Sequence, residues 1–411
     1  MKSKKSNWAS IMGPISLGAV MFSTYVGPGF ASGTQTVSYF LTKGWVGVFV
    51  GLLVVGALAL VLNLLLFQAF HVYQPHHFRE CYDRIYRNKI LNFVICNLKD
   101  IITILTVIVS VAAQISGAAT IFENLFGLPN QVGRILFAVI ILLLCLYGAK
   151  VLNATGSIMT IAILCVTVYI GIVAIPILWP NTMAFIDSRV SMQDNGFTTF
   201  GGWYAMIGFA NMFISGQTAC ATTSRGILVD KKSVIIGSVT NILLCTFSTM
   251  VYTVIFAGVM PEVAKESIPT LYVLQQAIGA SRSTQLIYAI LAIAAMISTG
   301  VSLIFSMAAR YEGLLGKVWK KSTVRTRKLV ISVLFLFVCL YGSSFGILSL
   351  VKYGFGYLTK FGFPITSVPL LFFVPYQIWR DKKDGKINAD GFYVDADLSA
   401  VYAARDKAEA K

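Results

Sequence analysis

The sequence predicts an all-α polytopic membrane protein of about ten transmembrane helices, laid out as a five-plus-five inverted repeat with helices 1 and 6 discontinuous. Composition is the first support: 56% of the 411 residues are hydrophobic and only 12% charged, with mean hydropathy +0.75. A soluble chain carries about 25% charged residues to coat its surface. That excludes a string of soluble domains, a disordered chain and a disulfide-rich secreted module. The second support is the recurrence of apolar stretches long enough to cross a bilayer core of about 30 Å, which takes about 20 residues. The third is a pair of glycine-interrupted stretches at matching places in the two halves.

The spans fall at 10–42, 45–70, 91–124, 131–149, 153–178, 200–228, 232–259, 284–312, 328–345 and 356–379. Lys2, Lys4 and Lys5 ahead of the first apolar run resemble a secretory signal. No small-residue cleavage site follows and nine more spans do, so the run reads as a retained helix. Lys43, Arg134, Arg189, Lys265, Arg282, Lys352 and Lys360 fall on one face, leaving 26 of the 33 Lys and Arg residues on the face with the N-terminus. The positive-inside rule makes the richer face cytoplasmic, so both termini are cytoplasmic in the cell inner membrane. It also accounts for the +16 net charge without nucleic acid. The organisation expected is a cytoplasmic tail at 1–9, a first five-helix repeat at 10–178 and an extracytoplasmic loop at 179–199. A second repeat follows at 200–379 and a cytoplasmic tail at 380–411, solvated or forming a short helix.

Other signals are blander. The seven cysteines are dispersed, mostly within apolar runs and without a C-x-x-C pair, so they read as small buried hydrophobes. His71, His76 and His77 share one loop after the second span, where a proton relay has nothing at membrane depth to serve. There is no phosphate-cradling G-x-x-x-x-G-K-[ST] loop. No constellation of catalytic groups recurs at membrane depth, so the chain does not read as an enzyme. The partners expected are a small-molecule substrate and the lipid bilayer, with no obligate protein partner evident.

The breaks carry the functional reading. A helix over 10–42 would be about 50 Å long at 1.5 Å per residue, too long for the bilayer. In its middle stands Gly27-Pro28-Gly29-Phe30-Ala31-Ser32-Gly33. Proline removes an N–H and clashes with the preceding turn, and glycine weakens the helix further. Unwound backbone at membrane depth must be buried in protein or line a cavity. Phe30-Ala31-Ser32-Gly33-Thr34-Gln35 is echoed by Phe213-Ile214-Ser215-Gly216-Gln217-Thr218 in the sixth span. Paired interruptions of this kind point to a transporter's midplane site, where helix ends offer N–H groups to anions and carbonyls to cations.

This plan, the Gly-Pro-Gly break and the run Ala295-Met296-Ile297-Ser298-Thr299-Gly300 in the middle of helix eight resemble the amino acid–polyamine–organocation superfamily, with its LeuT-type fold. The run from Gly27 to Gly33 is similar to the YkvI-like family of bacterial membrane proteins. That family often places an acid after the Phe-Ala-Ser-Gly run; here Thr34, Gln35 and Thr36 stand there instead. The resemblance implies a sodium site made of the Ser298 and Thr299 hydroxyls with the carbonyls of Ala295, Ser23 and Val26. It also implies that Gly27, Gly29 and Phe30 receive a substrate carboxylate, while Ser215 and Gly216 line the site. Tyr25, Trp203, Phe209 and Phe213 would shape the pocket, together with Gln114 and Asn211, although plain packing accounts for each aromatic alone. Sodium is the expected coupling ion, with no cofactor.

Charge within the spans constrains the substrate, because ionisable groups in a membrane are costly and usually functional. The apolar spans hold almost none: Asp100 follows Lys99 near the cytoplasmic end of the third, and Glu123 lies at its far end. A polycation would need central acids and a dianion a central Arg. A zwitterionic or neutral solute, an amino acid or derivative, therefore fits a secondary transporter. Proton coupling, exchange, and a solute sensor resembling a germinant receptor remain open on the same pocket.

Overall fold

The computed structural model describes residues 2–76, 78–147, 149–190 and 200–403. Among these the regular structure is helical, apart from one isolated bridge between Ile387 and Tyr393. The first segment is Lys2–Tyr25, Pro28–Ser32 and Thr34–Tyr39, and the second is Val50–Tyr73. The third, fourth and fifth are Lys89–Phe126, Asn130–Tyr147 and Ala149–Asp187. The sixth is broken into Phe200–Gly208, Ala210–Phe213 and Gln217–Thr223. The seventh, eighth and ninth are Lys231–Ala257, Arg282–Val318 and Val324–Gly342, and the tenth runs over Ile347–Lys383. Seven of these are long and apolar enough to cross a membrane, and the first and fourth add shorter apolar helices. The protein is an all-α integral membrane protein. Leu53, Phe93, Ile172, Ile290 and Phe337 stand exposed on helix surfaces, as lipid-facing side chains do.

Helix starts follow their caps. Asn88 accepts from the N–H groups of Ile90 and Leu91, and Asp230 with Ser233 forms a reciprocal capping box, each meeting orphan donors of a first turn. The first segment packs along the seventh at close range. A Cβ on Gly18 would stand 2.6 Å from the Gly237 carbonyl, so only glycine fits there.

Two boundaries differ from the sequence expectation. The fifth helix passes residue 178 and ends at Asp187, which takes the start of the expected 179–199 loop into helix; residues 191–199 lie outside the described residues. Pro176 and Pro180 sit inside it, and Thr182 Oγ1 donates to Leu178 O (3.1 Å) and Val254 O (2.8 Å), fastening the proline-weakened turn to the seventh helix. The tenth segment begins at Ile347, not at 356, because two π-turns absorb Gly354 and Pro364 without ending the helix.

The described part of the C-terminal tail is largely exposed but is anchored to the body at a few buried residues. Its hairpin-like turn buries Phe392 and Tyr393, and the Tyr393 N–H donates to Val72 O (2.8 Å) at the end of the second helix. His71 and His76 do not share one loop either. His71 lies buried in the second helix with Nδ1 2.9 Å from Leu228 O, and His76 pairs with Asp397 of the tail. His77 lies outside the described residues.

Candidate functional site

The first helix stops at Tyr25 because Gly27 turns to an extended conformation (φ −97°, ψ −164°) and Pro28 opens a new helix. That five-residue helix ends at Gly33, whose φ of +86° is left-handed and suits glycine. Gly29 and Phe30 stand in its first turn, where backbone N–H groups lack intrahelical acceptors. In the sixth segment Ile214, Ser215 and Gly216 separate two helical pieces. The carbonyl of Phe213 at that break accepts from Asn241 Nδ2 of the seventh helix (3.0 Å).

The two breaks face each other. A Cβ on Gly216 would overlap the Thr24 hydroxyl, so glycine lets the backbones meet. Above them the rings close into one group. Tyr25 lies 5.2 Å from Phe30, 4.9 Å from Phe213 and 6.2 Å from Phe209 by ring centroids, all four rings being buried. Its hydroxyl bonds with Thr249 Oγ1 at 2.8 Å. Of the expected pocket residues, Tyr25, Gly27, Gly29, Phe30, Phe209, Phe213, Ser215 and Gly216 thus gather around the breaks.

The others lie to the side. Trp203 packs half-buried against the core in the preceding helical piece. Asn211 faces the tenth helix, its Nδ2 3.1 Å from where a Gly362 Cβ would stand, and its buried Oδ1 has no partner among the described residues. Gln114 is fully buried, with Nε2 3.4 Å from Ser110 Oγ and Oε1 pressed on Gly300 of the eighth helix without a hydrogen-bond partner among the described residues.

The expected cation ligands come partly together. Thr299 Oγ1 lies 3.0 Å from Ala295 O in its own helix and 3.5 Å from Val26 O across the first break. Ser298, half-buried, stands beside it. The Ser23 hydroxyl donates to Val20 O (2.8 Å), and the ligand expected from that residue is its carbonyl.

Four site residues escaped sequence reasoning. Gln35 folds over Gly29 so closely that a Cβ there would overlap it, and its buried Oε1 has no partner among the described residues. Tyr252 stacks edge-on against Phe30 at 5.2 Å, and Tyr288 donates to Ala31 O at 2.7 Å. Tyr39 packs on Phe209 at 4.8 Å and bonds with Thr359 Oγ1 at 3.4 Å, roofing the site. Gln35 alone had a signal, as the partner of Thr218 in the repeated motif. The three tyrosines reach the site from afar, and no local pattern marks them.

No family model matches the sequence, and no curated protein does. Solved structures do match. Mhp1, a nucleobase-cation-symport-1 family transporter bound to bromovinylhydantoin, superposes with TM-score 0.56 at 17% identity, over 84% of this chain and 76% of its own. MhsT in complex with L-phenylalanine matches with TM-score 0.56 at 16% identity, over 97% of both chains. The Eremococcus coleocola manganese transporter matches with TM-score 0.54 at 14% identity, over 98% of this chain and 92% of its own. At such identities the likeness is one of fold, and the fold is the LeuT type shared by these secondary transporters.

Proposed function

We propose that the protein is a secondary active transporter of a small zwitterionic or neutral solute, most simply an amino acid or derivative, coupled to sodium. The face bearing the C-terminal tail would be cytoplasmic, in keeping with the charge asymmetry of the sequence. The observation that carries the reading is the Thr299 hydroxyl reaching toward the Val26 carbonyl where the first helix breaks. The Thr299 hydroxyl donates to the Ala295 carbonyl at 3.0 Å and lies 3.5 Å from the Val26 carbonyl, so three neutral oxygens of the kind a hard cation takes stand together. Val26 belongs to the break and Thr299 to the eighth helix. A sodium ion there would therefore tie the element that binds substrate to the one it moves against, which is what coupling needs.

On this reading the Gly29 and Phe30 N–H groups receive a carboxylate, Gln35 and Ser215 offer polar contacts, and the ring group of Tyr25, Phe209 and Phe213 shuts water out. The eighth helix rocks against the first as the ion leaves. A manganese-type cargo fits less well. Among the described residues no three His, Cys, Asp or Glu side chains gather to hold a metal, and transition metals favour such ligands.

Uptake of labelled amino acids into proteoliposomes under an inward sodium gradient tests the reading, with a proton gradient and no gradient as controls. Sodium-driven accumulation that weakens at least tenfold in apparent sodium affinity in Thr299→Val and Ser298→Ala supports it. Accumulation driven by protons alone removes the sodium site and keeps the carrier. Ligand-induced thermal stabilisation without any accumulation makes the protein a sensor.

A further inference from the structure

Lys99, in the third helix, is the one Lys or Arg that is buried among the described residues, at 6% exposure. Its Nζ donates to Thr366 Oγ1 of the tenth segment at 2.9 Å and lies 5.7 Å from the centre of the Phe78 ring. No carboxylate bonds to it among the described residues. Asp100, next in the chain, acts on it through space. The two Asp100 oxygens are taken by Arg79 (3.3 Å), from the short helix Phe78–Ile85, and by Arg310 of the eighth helix. A lysine that only reaches for water lays its stem on apolar surface and puts its ammonium outside. Lys99 does the reverse, turning its head inward to a buried hydroxyl.

The tenth segment is shaped to receive it. Thr366 belongs to the π-turn Phe363–Ser367, and such turns are frequent at functional sites. Thr366 and Ser367 are fully buried, and Ser367 Oγ has no partner among the described residues. An ammonium brings three donors and no acceptor, so one hydroxyl leaves it short. A neutral amine is matched by the same hydroxyl, which can donate to its lone pair or accept from its N–H.

Water is one residue away. Arg79, Asp100 and Arg310 are each partly exposed, and ion pairs so placed hold weakly. They form a cover over Lys99 on the side of the C-terminal tail, which the same short helix meets where Arg84 lies 4.8 Å over the Tyr393 ring. The other titratable neighbours are engaged elsewhere. Cys96 is a buried thiol one turn earlier on the third helix. On the short helix Asp83 bonds to Arg79, Glu80 accepts from the His76 N–H, and Tyr82 packs on Phe78. At the inner ends of the eighth and ninth helices Glu312 pairs with Arg327, Tyr311 stacks on Phe335 and Lys328 lies over Phe305. The turn Phe363–Ser367 brings no titratable side chain.

We propose that Lys99 is a proton-binding site gated by the Asp100 cover, so that acid on the tail side favours a parted cover and an open inner mouth. Charge is unfavourable in packed protein and favourable in water, so the ammonium form goes with the parted cover and the neutral amine with the closed one. On opening, a proton passes from water to the Nζ lone pair. On closing, that N–H bond breaks and the proton returns to the same water, so no net proton crosses the membrane. The switch biases which way the protein faces and leaves its cargo and coupling ion untouched. It holds for a carrier and for a sensor alike.

Electron–electron distance measurements on the full chain in phosphatidylcholine nanodiscs test this. Spin labels carried on a non-natural side chain at the exposed positions 89 and 317 report the separation of the third and eighth helices, which carry Asp100 and Arg310. Between pH 8 and pH 6 the ratio of long to short distances should rise at least threefold, within a limit of about tenfold per pH unit for one linked proton. Lys99→Met should abolish that slope and hold the short distance throughout. Asp100→Asn should raise the long-distance share at every pH and keep the slope. Should Lys99→Met fail to fold, Lys99→Gln, which keeps a hydrogen bond to Thr366 and never charges, decides instead. A wild-type protein without a slope overturns the proposal. So does a slope that survives in the uncharged variants, which would give the titration to His76 and the tail.

Discussion

The two helix breaks face each other across the same site, yet they are made differently. The first is written into its own backbone: Gly27, Pro28, Gly29 and Gly33 end one helix and start another with little outside help. The sixth has no proline between Phe200 and Thr223, and of its four glycines only Gly216 stands in the break between Phe213 and Gln217. It stays open because Asn241 takes the Phe213 carbonyl and because Gly216 lies against Thr24. A break set by local chemistry persists wherever the segment goes. One set by neighbours depends on where they stand, so the sixth segment is the more adjustable of the pair.

Substitutions can break or sharpen that contrast, with apparent melting temperature in lipid discs and uptake as readouts. Gly216→Val should be the most damaging, at about 3 kcal/mol, the upper end of overpacking costs, because its side chain would run into Thr24 and the backbone of Met21. Next comes Asn241→Ala. It strands the buried Phe213 carbonyl at a cost of about 2 kcal/mol, and an effect near zero would mean that the sixth break holds itself open. Gly29→Ala runs into the Gln35 side chain along its length, from Cγ to Nε2. It should cost about 1 kcal/mol and be restored by Gln35→Ala, whereas no single partner change should rescue Gly216→Val. Tyr25→Phe keeps every ring contact and loses one hydrogen bond to Thr249, for about 0.5–1 kcal/mol.

The same contrast explains what the sequence made legible. Hydropathy was enough for the helical segments, because a bilayer imposes length and apolarity on each one separately. The first break was readable from Pro28 and its flanking glycines, and the sixth only as an echo of it. Tyr39, Tyr252, Tyr288 and Asn241 were invisible, since each joins the site through a partner far along the chain. The end of the fifth helix was misjudged for the same reason: Trp179-Pro180-Asn181 reads locally as a stop, and Thr182 overrides it through Val254. The tail misled in another way. Its charges suggested solvation, while Phe392, Tyr393 and Val401, spaced among them, are the buried anchors.

That docked tail offers a practical handle. Arg225, at the foot of the sixth segment, bonds to Asp397, while Tyr393 holds the foot of the second through Val72. Hydrogen bonds from Ser399, reinforced by Arg225, hold the Asp397 carboxyl well below its ordinary range, so this clasp keeps its charge through neutral and mildly acidic water. The clasp lies outside the bilayer yet is wired to a segment that lines the site. A fluorophore placed near Ser399 would therefore report, from the aqueous side and in real time, whenever the foot of the sixth segment swings.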